Sequence, residues 1–168
     1  MLRPVIRRPA VGLVALALAA LLLPACRSMR AVEQRTTQGP SAEELWFVRM
    51  YTLNGREPSF DERRHWEDQI DRRISQYLRE HPDTANSFDV STFRFYRRAT
   101  VGMTKEQIVI LLGQPASTTV ESGEMEKLAK KYWPEIKAEA KEAWVYPLGW
   151  HLFFADNRVV DITQIRPR

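Results

Sequence analysis

Apolar residues recur at helical spacing through the first part of the chain, between residues 41 and 82. The second of two such segments repeats its apolar side chains every three or four residues, which is the spacing of a helix with one buried face. Its members are Trp66, Ile70, Ile74, Tyr77 and Leu78. The first segment is shorter and carries Leu45, Trp46, Val48 and Met50. The pattern predicts two helices ahead of the rest of the fold.

Polar residues mark where these two helices begin and end. Ser41 with Glu44, and Ser59 with Glu62, each fit a capping box, in which the two side chains satisfy free backbone N–H groups at the helix start. An Asn-Gly pair at residues 54 and 55 ends the first helix, and Pro82 ends the second.

A third helix is predicted between residues 104 and 113, where every boundary signal agrees. Thr104 and Gln107 form another capping box, and Met103 and Ile108 take the two positions of a hydrophobic staple. Gly113 ends the helix. Before it, residues 88 to 99 fit either a strand or a helix by their spacing, and the helical interpretation is favoured.

Alternation of apolar and polar residues predicts an antiparallel sheet in the last third of the chain. Its first strands are Ala116–Val120 and Ala143–Tyr146, and a hairpin closes the fold. The predicted fold class is α+β, with helices packed on one face of a three-stranded antiparallel sheet.

The register of the closing hairpin depends on the length of its loop. A two-residue loop of Asp156 and Asn157 would place Leu152 opposite Asp161, an apolar residue against a charge. A three-residue loop that starts at Ala155 moves every partner by one step and removes this conflict. The three-residue loop is therefore preferred.

This register assigns the hairpin side chains to faces of the sheet. It pairs Leu152 with Val160 and Trp150 with Ile162, and it requires a left-handed Asn157. These two pairs are expected to face the helices. The residues expected to face outward are His151, Phe153 and Asp161.

Residues 121–142 form an insert between the first and second strands. Met125, Leu128, Tyr132 and Ile136 share one helical face, and the pattern breaks at Trp133-Pro134. The insert either covers one end of the sheet or recognises a partner, and the first interpretation is favoured.

The start of the chain has the organisation of an export signal. Arg3, Arg7 and Arg8 precede an apolar run, Ala10–Leu23, of 14 residues. A membrane-spanning helix needs about 20 apolar residues, so cleavage is expected rather than a permanent span. Residues 1–25 are therefore predicted to be a signal peptide.

Cys26 is the only cysteine of the chain and directly follows Leu23-Pro24-Ala25. These four residues resemble a lipobox, the site at which a lipoprotein signal peptide is cut between Ala25 and a lipid-bearing Cys26; Pro24 departs from the usual residue there. The alternative is an ordinary cleavage site at Ala17-Leu18-Ala19, which would leave a lone thiol without a disulfide partner. The following polar stretch, residues 26–40, is predicted to be a flexible tether.

Charge gives no indication of a nucleic-acid partner. The three signal arginines leave with the signal peptide, so the mature chain of 143 residues (168 less 25) has 22 basic (25 less 3) and 21 acidic residues. Nucleic-acid binders concentrate basic charge on one surface, whereas the signs alternate here.

Candidate chemistry is sparse. The three histidines, His65, His81 and His151, lack the spacing of a metal site, and no nucleophile-elbow or phosphate-loop motif occurs. His151 with Asp161 is the one dyad that the register places on a common face. No catalytic residue, metal or cofactor is predicted, and no small-molecule substrate is evident.

Aromatic residues are a more promising source of binding sites. Several aromatic residues occur in the predicted strands and in the insert, and most of them are expected in the core. Any that remain exposed would mark a binding patch. The candidates for partner binding are Trp133, Trp144, Tyr146 and Phe153.

The third helix and the strands after it resemble the SmpA/OmlA, or BamE-like, domain of small outer-membrane lipoproteins. The resemblance rests on Gly102, Met103, Thr104 and Gln107, then Gly113 and Pro115, followed by the strands as far as Ile165. In that family the helix precedes a three-stranded antiparallel sheet packed on a helix pair. The insert is a departure, because the family commonly has a short connection there.

This resemblance implies a domain at 100–168 behind an N-terminal helical region at 41–99. It implies a non-enzymatic lipoprotein on the periplasmic face of the outer membrane, a scaffold with a protein partner in envelope or β-barrel assembly. Arg27 directly follows Cys26, at the position where an aspartate, by family resemblance, keeps lipoproteins in the inner membrane. The alternative is a protein-binding or inhibitory module that uses its sheet face, as a β-lactamase inhibitor with this fold does.

Overall fold

A computed structural model describes residues 31–87 and 90–166, which form an α+β fold with antiparallel sheets. The strands are β1 (Val32–Thr36), β2 (Gln38–Ser41), β3 (Arg98–Thr100), β4 (Ser117–Thr119), β5 (Glu142–Tyr146), β6 (Trp150–Ala155) and β7 (Arg158–Arg166). The helices are α1 (Ala42–Asn54), α2 (Phe60–Glu80), α3 (Pro82–Ala85), α4 (Val90–Arg94), α5 (Lys105–Leu112), α6 (Ser122–Leu128) and α7 (Trp133–Ile136). Among these described helices, none has the length and apolarity to cross a membrane.

The main sheet has five strands in the order β1-β7-β6-β5-β4, so the predicted three-stranded sheet is wrong. The two predicted first strands and both strands of the closing hairpin lie in it as β4 to β7. All neighbours are antiparallel, and β2 pairs separately with β3. The additional edge strand β1 comes from the stretch predicted to be a flexible tether. That prediction is wrong from Val32 onward, because β1 pairs along its whole length with β7, from Val32 opposite Arg166 to Thr36 opposite Ile162. Residues 26–30 lie outside the described part of the chain.

The helix boundaries predicted from capping signals are confirmed. The Ser41 hydroxyl accepts a hydrogen bond from the Glu44 N–H at 3.1 Å, and Gly55 closes α1 in a left-handed conformation. Ser59 and Glu62 form the full reciprocal box at the start of α2. Local hydrogen bonds between residues three apart set these boundaries, so the sequence alone specifies them.

Within the ambiguous segment 88–99, the described residues 90–99 combine a short helix with the start of a strand. The favoured helical interpretation is confirmed for α4, in which Phe93 is fully buried, but the chain becomes extended at Arg98.

The closing hairpin has a two-residue loop, so the predicted three-residue loop is wrong. Ala155 pairs with Arg158, and the residue with positive φ is Asp156 (φ 51°) rather than Asn157. The conflict between Leu152 and Asp161 is removed by a β-bulge, which lies opposite the step from Phe153 to Phe154.

The bulge lies on β7 and shifts its register by one residue. Phe154 pairs with Val159 and Phe153 pairs with Asp161, so Val160 is the extra residue. Leu152 therefore meets Ile162 instead of the predicted Val160, and Trp150 meets Gln164 instead of the predicted Ile162. A bulge lets two consecutive residues of one strand share a side of the sheet. Val160 accordingly lies with Asp161 on the side of the insert, not on the side of α1 and α5.

One face of the sheet packs against the helices as predicted. Trp150, Leu152 and Ile162 are buried there with Leu45 of α1 and Ile108 of α5. Further members from α2 and α4 are Ile70, Ile74, Tyr77 and Phe93. The helical region and the sheet therefore share one hydrophobic core.

The opposite face is covered by the insert, as the favoured interpretation predicted in part. The covering is broader than expected, because the insert lies on the sheet face and not only at its end. Met125, Trp133 and Ile136 form a second buried cluster with Ala143 and Phe153. Pro134 lies in the first turn of α7, where it starts a new helix and separates it from α6.

The residues predicted to face outward are consequently buried. Phe153 has 0% exposure, and His151 and Asp161 are also buried. Sequence alternation correctly separated them from the helix side, but it did not indicate that the insert would cover them.

Replacing Phe153 with alanine tests whether the second face is truly closed. Removing a fully buried phenylalanine ring is expected to lower the free energy of unfolding by about 3–5 kcal/mol. Chemical denaturation monitored by circular dichroism measures this change. Val120→Ala is the matched control, because Val120 is 68% exposed and its truncation is expected to change stability by less than about 0.5 kcal/mol. Equal effects of the two substitutions would contradict the covered face.

Candidate functional site

The predicted lipid-attachment and cleavage residues, Cys26 and Ala25, lie outside the described residues. The structure therefore bears on the remaining candidates only, which are the motif around α5, the aromatic residues and the His151–Asp161 pair.

The first half of the motif holds α5 against the end of the closing hairpin. Gly102 has a positive φ of 93°, and its N–H donates to the Val159 carbonyl at 2.8 Å. The Val159 N–H donates back to the Met103 carbonyl at 2.9 Å. Thr104 and Gln107 then form the full capping box that begins α5. These residues have a structural role, as the sequence predicted.

The second half of the motif lies where α1 passes close to the end of α5. Gly113 has a positive φ of 70°, and an added Cβ would lie 2.7 Å from Nη1 of Arg49. Arg49 donates from Nη2 to the Gln114 carbonyl at 3.0 Å, and the Tyr146 hydroxyl donates to the Gly113 carbonyl at 2.9 Å. The backbone conformation requires glycine at this point, and an added Cβ would also displace the Arg49 guanidinium.

Pro115 completes the motif as the chain turns from α5 into the sheet. It is half-buried, and the next residue, Ala116, donates its N–H to the Val145 carbonyl at 2.9 Å. Proline has no N–H to pair, so it fits a connection that lies just outside the strand ladder.

The four aromatic candidates for partner binding are all core residues, so that prediction is wrong. Trp133 and Phe153 belong to the insert cluster, and Trp144 and Tyr146 belong to the helix-side core. Burial raises the pKa of the Tyr146 hydroxyl above its ordinary value, which keeps this group a neutral donor to Gly113. None of the four rings offers a contact surface.

His151 and Asp161 do not form the dyad that the register suggested. Asp161 is bound by Arg35 of β1, which donates from Nε to Oδ1 at 3.1 Å and from Nη2 to Oδ2 at 2.6 Å. His151 lies beside Thr163, with Nδ1 at 3.3 Å from its hydroxyl oxygen. Burial lowers the pKa of His151, so the ring is a neutral member of the interface with the insert.

A second charged network joins α5 to the sheet. Lys105 and the Trp144 indole N–H both donate to the carboxylate of Glu142. Burial alone would raise the pKa of Glu142, but the two hydrogen bonds outweigh it and lower the pKa. The Lys105 ammonium also lies 5.6 Å from the centre of the Phe154 ring. The network therefore pairs both of these charges within the fold.

The remaining histidines also have local explanations. His65 is exposed beside Gln69, and His81 stacks on Tyr77 at the end of α2. Within residues 31–87 and 90–166, no group of three histidine, cysteine, aspartate or glutamate residues is placed to hold a metal ion.

The exposed apolar residues lie elsewhere and were not selected from the sequence. They are Tyr51, Leu53, Phe60, Phe95, Tyr96, Val120 and Leu148. For Tyr51, the sequence did contain a signal, because α1 has apolar residues around its whole circumference. In the structure, the buried residues of this helix are Ala42 and Leu45. A helix of that kind has more apolar surface than one core can cover.

No protein-family model, curated protein or solved structure matches this chain.

Burial of neutral His151 makes stability dependent on pH. Its folded-state pKa lies below the unfolded value near 6.5, so its contribution to stability is present above pH 6.5 and is lost as pH falls through the window below that value. His151→Gln is expected to reduce this loss, by at most about 1.4 kcal/mol for each pH unit. Urea denaturation between pH 7 and about pH 5 measures the slope. His65→Gln, on the exposed surface, is expected to keep the wild-type slope, and an unchanged slope in His151→Gln would contradict the prediction.

Proposed function

We propose that this chain is a lipid-anchored lipoprotein on the periplasmic face of the outer membrane, acting as a non-enzymatic scaffold in envelope or β-barrel assembly. The observation that carries the proposal is the order of features along the chain. An export signal is followed by Cys26 in a lipobox-like sequence, and the motif of the SmpA/OmlA, or BamE-like, domain lies downstream.

The packing of the motif supports this family assignment. Gly102 and Gly113 both occur where a positive φ is needed, and Gly113 also permits the close approach of Arg49. The motif residues thus have physical reasons to occur together at this spacing, in addition to their similarity in sequence. The α5 helix that they define shares the core on the helix side of the sheet with α1 and α2.

A scaffold is also the function that the polar groups favour. The buried or half-buried charges at Asp161, Glu142 and Lys105 are each paired within the fold. Charges used in this way stabilise packing, and they are not free to transfer protons to a substrate.

The alternative function, an inhibitory module that binds through an open sheet face, lacks its surface. It requires Phe153 and its neighbours to be exposed, whereas the insert buries them. Partner contacts must therefore come from the helices, the sheet ends or the outer side of the insert.

Fatty-acid labelling tests the anchor. Wild-type protein expressed with radioactive palmitate is expected to carry label and to sediment with membranes, and Cys26→Ala is expected to lose the label because no thiol remains for acylation. Cys26→Ser serves as a second control with a hydroxyl in place of the thiol. Label that persists in both variants would contradict attachment at Cys26.

Crosslinking in cells tests the scaffold. After mild detergent extraction, the lipidated protein is expected to co-purify with components of the β-barrel assembly machinery, and mass spectrometry identifies them. Cys26→Ala is the matched control, since the unanchored chain is expected to recover these components in much lower yield. Repeated recovery of the bait without them would contradict a role in barrel assembly.

A further inference from the structure

One end of the main sheet is where the described chain begins. β1 starts there at Val32 opposite Arg166, and Tyr146 at the end of β5 pairs there with Trp150 at the start of β6. We call this end, defined by these four residues, the proximal end. The opposite, distal end carries the Asp156-Asn157 loop.

Helix α1 lies across the sheet at the proximal end. Near its start, Glu44 lines a shallow depression together with Gln34 of β1 and Gln164 of β7. Just past its middle, Arg49 binds the Gln114 carbonyl, two residues before the chain joins the other edge of the sheet at Ala116. The helix therefore extends from the β1 side to the β4 side.

The side of α1 that bears Glu44 presents apolar residues outside the core. Phe47, Val48 and Tyr51 follow Glu44 at helical spacing, the first two half-buried and Tyr51 52% exposed. Ala42 and Leu45 point into the core instead. The helix thus has one apolar face for the core and a second apolar stripe for another contact.

A strained leucine lies at the same end. Leu148, in the turn between β5 and β6, has a φ of 61° and is 46% exposed. The left-handed conformation is unfavourable for leucine, and the fold buries this residue only in part. The Leu148 carbonyl is held by the Gln164 side chain at 3.2 Å, and an added Cβ on neighbouring Gly149 would collide with the Ile165 carbonyl oxygen.

We propose that the proximal end rests on the lipid surface, with Phe47, Val48, Tyr51 and Leu148 in contact with the headgroup and upper acyl region. The inference rests on the proposed lipid anchor at Cys26. From Cys26 to Val32 the chain has six peptide steps, which span at most about 22 Å when fully extended. The anchor thus holds the proximal end close to the bilayer.

The same short reach from Cys26 argues against contact of the distal end with the bilayer. The six residues of β6 extend about 17 Å away from the proximal end, so only a nearly fully extended connection would let the distal end touch the bilayer. A helix lying in the interface with an apolar face toward the acyl chains is a recognised mode of membrane contact, and tyrosine and leucine suit that position. Arg166 adds a positive charge at this end for anionic headgroups.

Single-cysteine fluorescence tests this orientation on the full lipidated chain. Since the lipid occupies the sulfur of Cys26, an introduced cysteine is the sole free thiol. Tyr51→Cys and Leu148→Cys report on the proximal end, and Val120→Cys is the matched control, an exposed apolar residue that follows β4 at the distal end. Each variant is labelled with an environment-sensitive dye and reconstituted in vesicles of phosphatidylethanolamine and phosphatidylglycerol.

The proximal probes are expected to emit at shorter wavelength than the Val120 probe. They are also expected to be quenched several-fold more strongly by phospholipids that carry a nitroxide near the headgroup. Equal quenching at all three positions, in protein that floats with the vesicles, would overturn the orientation and leave the anchor intact. A blue shift without nitroxide quenching would assign the surface to protein association and also overturn it. Protein that fails to float would refute the anchor, and with it this inference.

Discussion

Burial of the main sheet on both faces is the constraint on which the rest of this structure depends. β6 is buried at every position from Trp150 to Phe154. A sheet covered on one face only would show polar residues at alternate positions, and here those positions are occupied by His151 and Phe153. Each needs a partner on the second face, and the insert between β4 and β5 supplies it.

Two-sided burial determines how the polar residues are paired. Asp161 would be a buried carboxylate without a partner if β1 were absent, since Arg35 is its charged partner. An unpaired buried charge is costly, so the edge strand and the salt bridge belong together. The insert is joined to the same strand, because the Lys131 N–H donates to the Glu33 side chain at 3.0 Å. One edge strand, at the start of the described chain, thus contacts both the sheet and the insert that covers it.

This arrangement determines where the protein is able to meet a partner. Both faces of the sheet are covered, which leaves the helices, the sheet ends and the outer surface of the insert for the proposed partner. Because β1 begins at Val32, within the stretch predicted to be a tether, the sheet starts six residues after Cys26. In the proposed lipoprotein, so short a connection would limit the reach of the domain from its anchor.

The sequence by itself determined α1, α2 and α5, because their boundaries are set by hydrogen bonds between residues three or four apart, as at Ser59 with Glu62 and Thr104 with Gln107. It also determined which hairpin residues lie on the helix side at Leu152 and Ile162, because alternation is a local property of a strand. Only the tertiary structure decided the bulge at Val160, the pairing of β1 with β7 and the cover over Phe153. These features depend on contacts between segments far apart in the chain, and their energy comes from burial and charge pairing that no local pattern records.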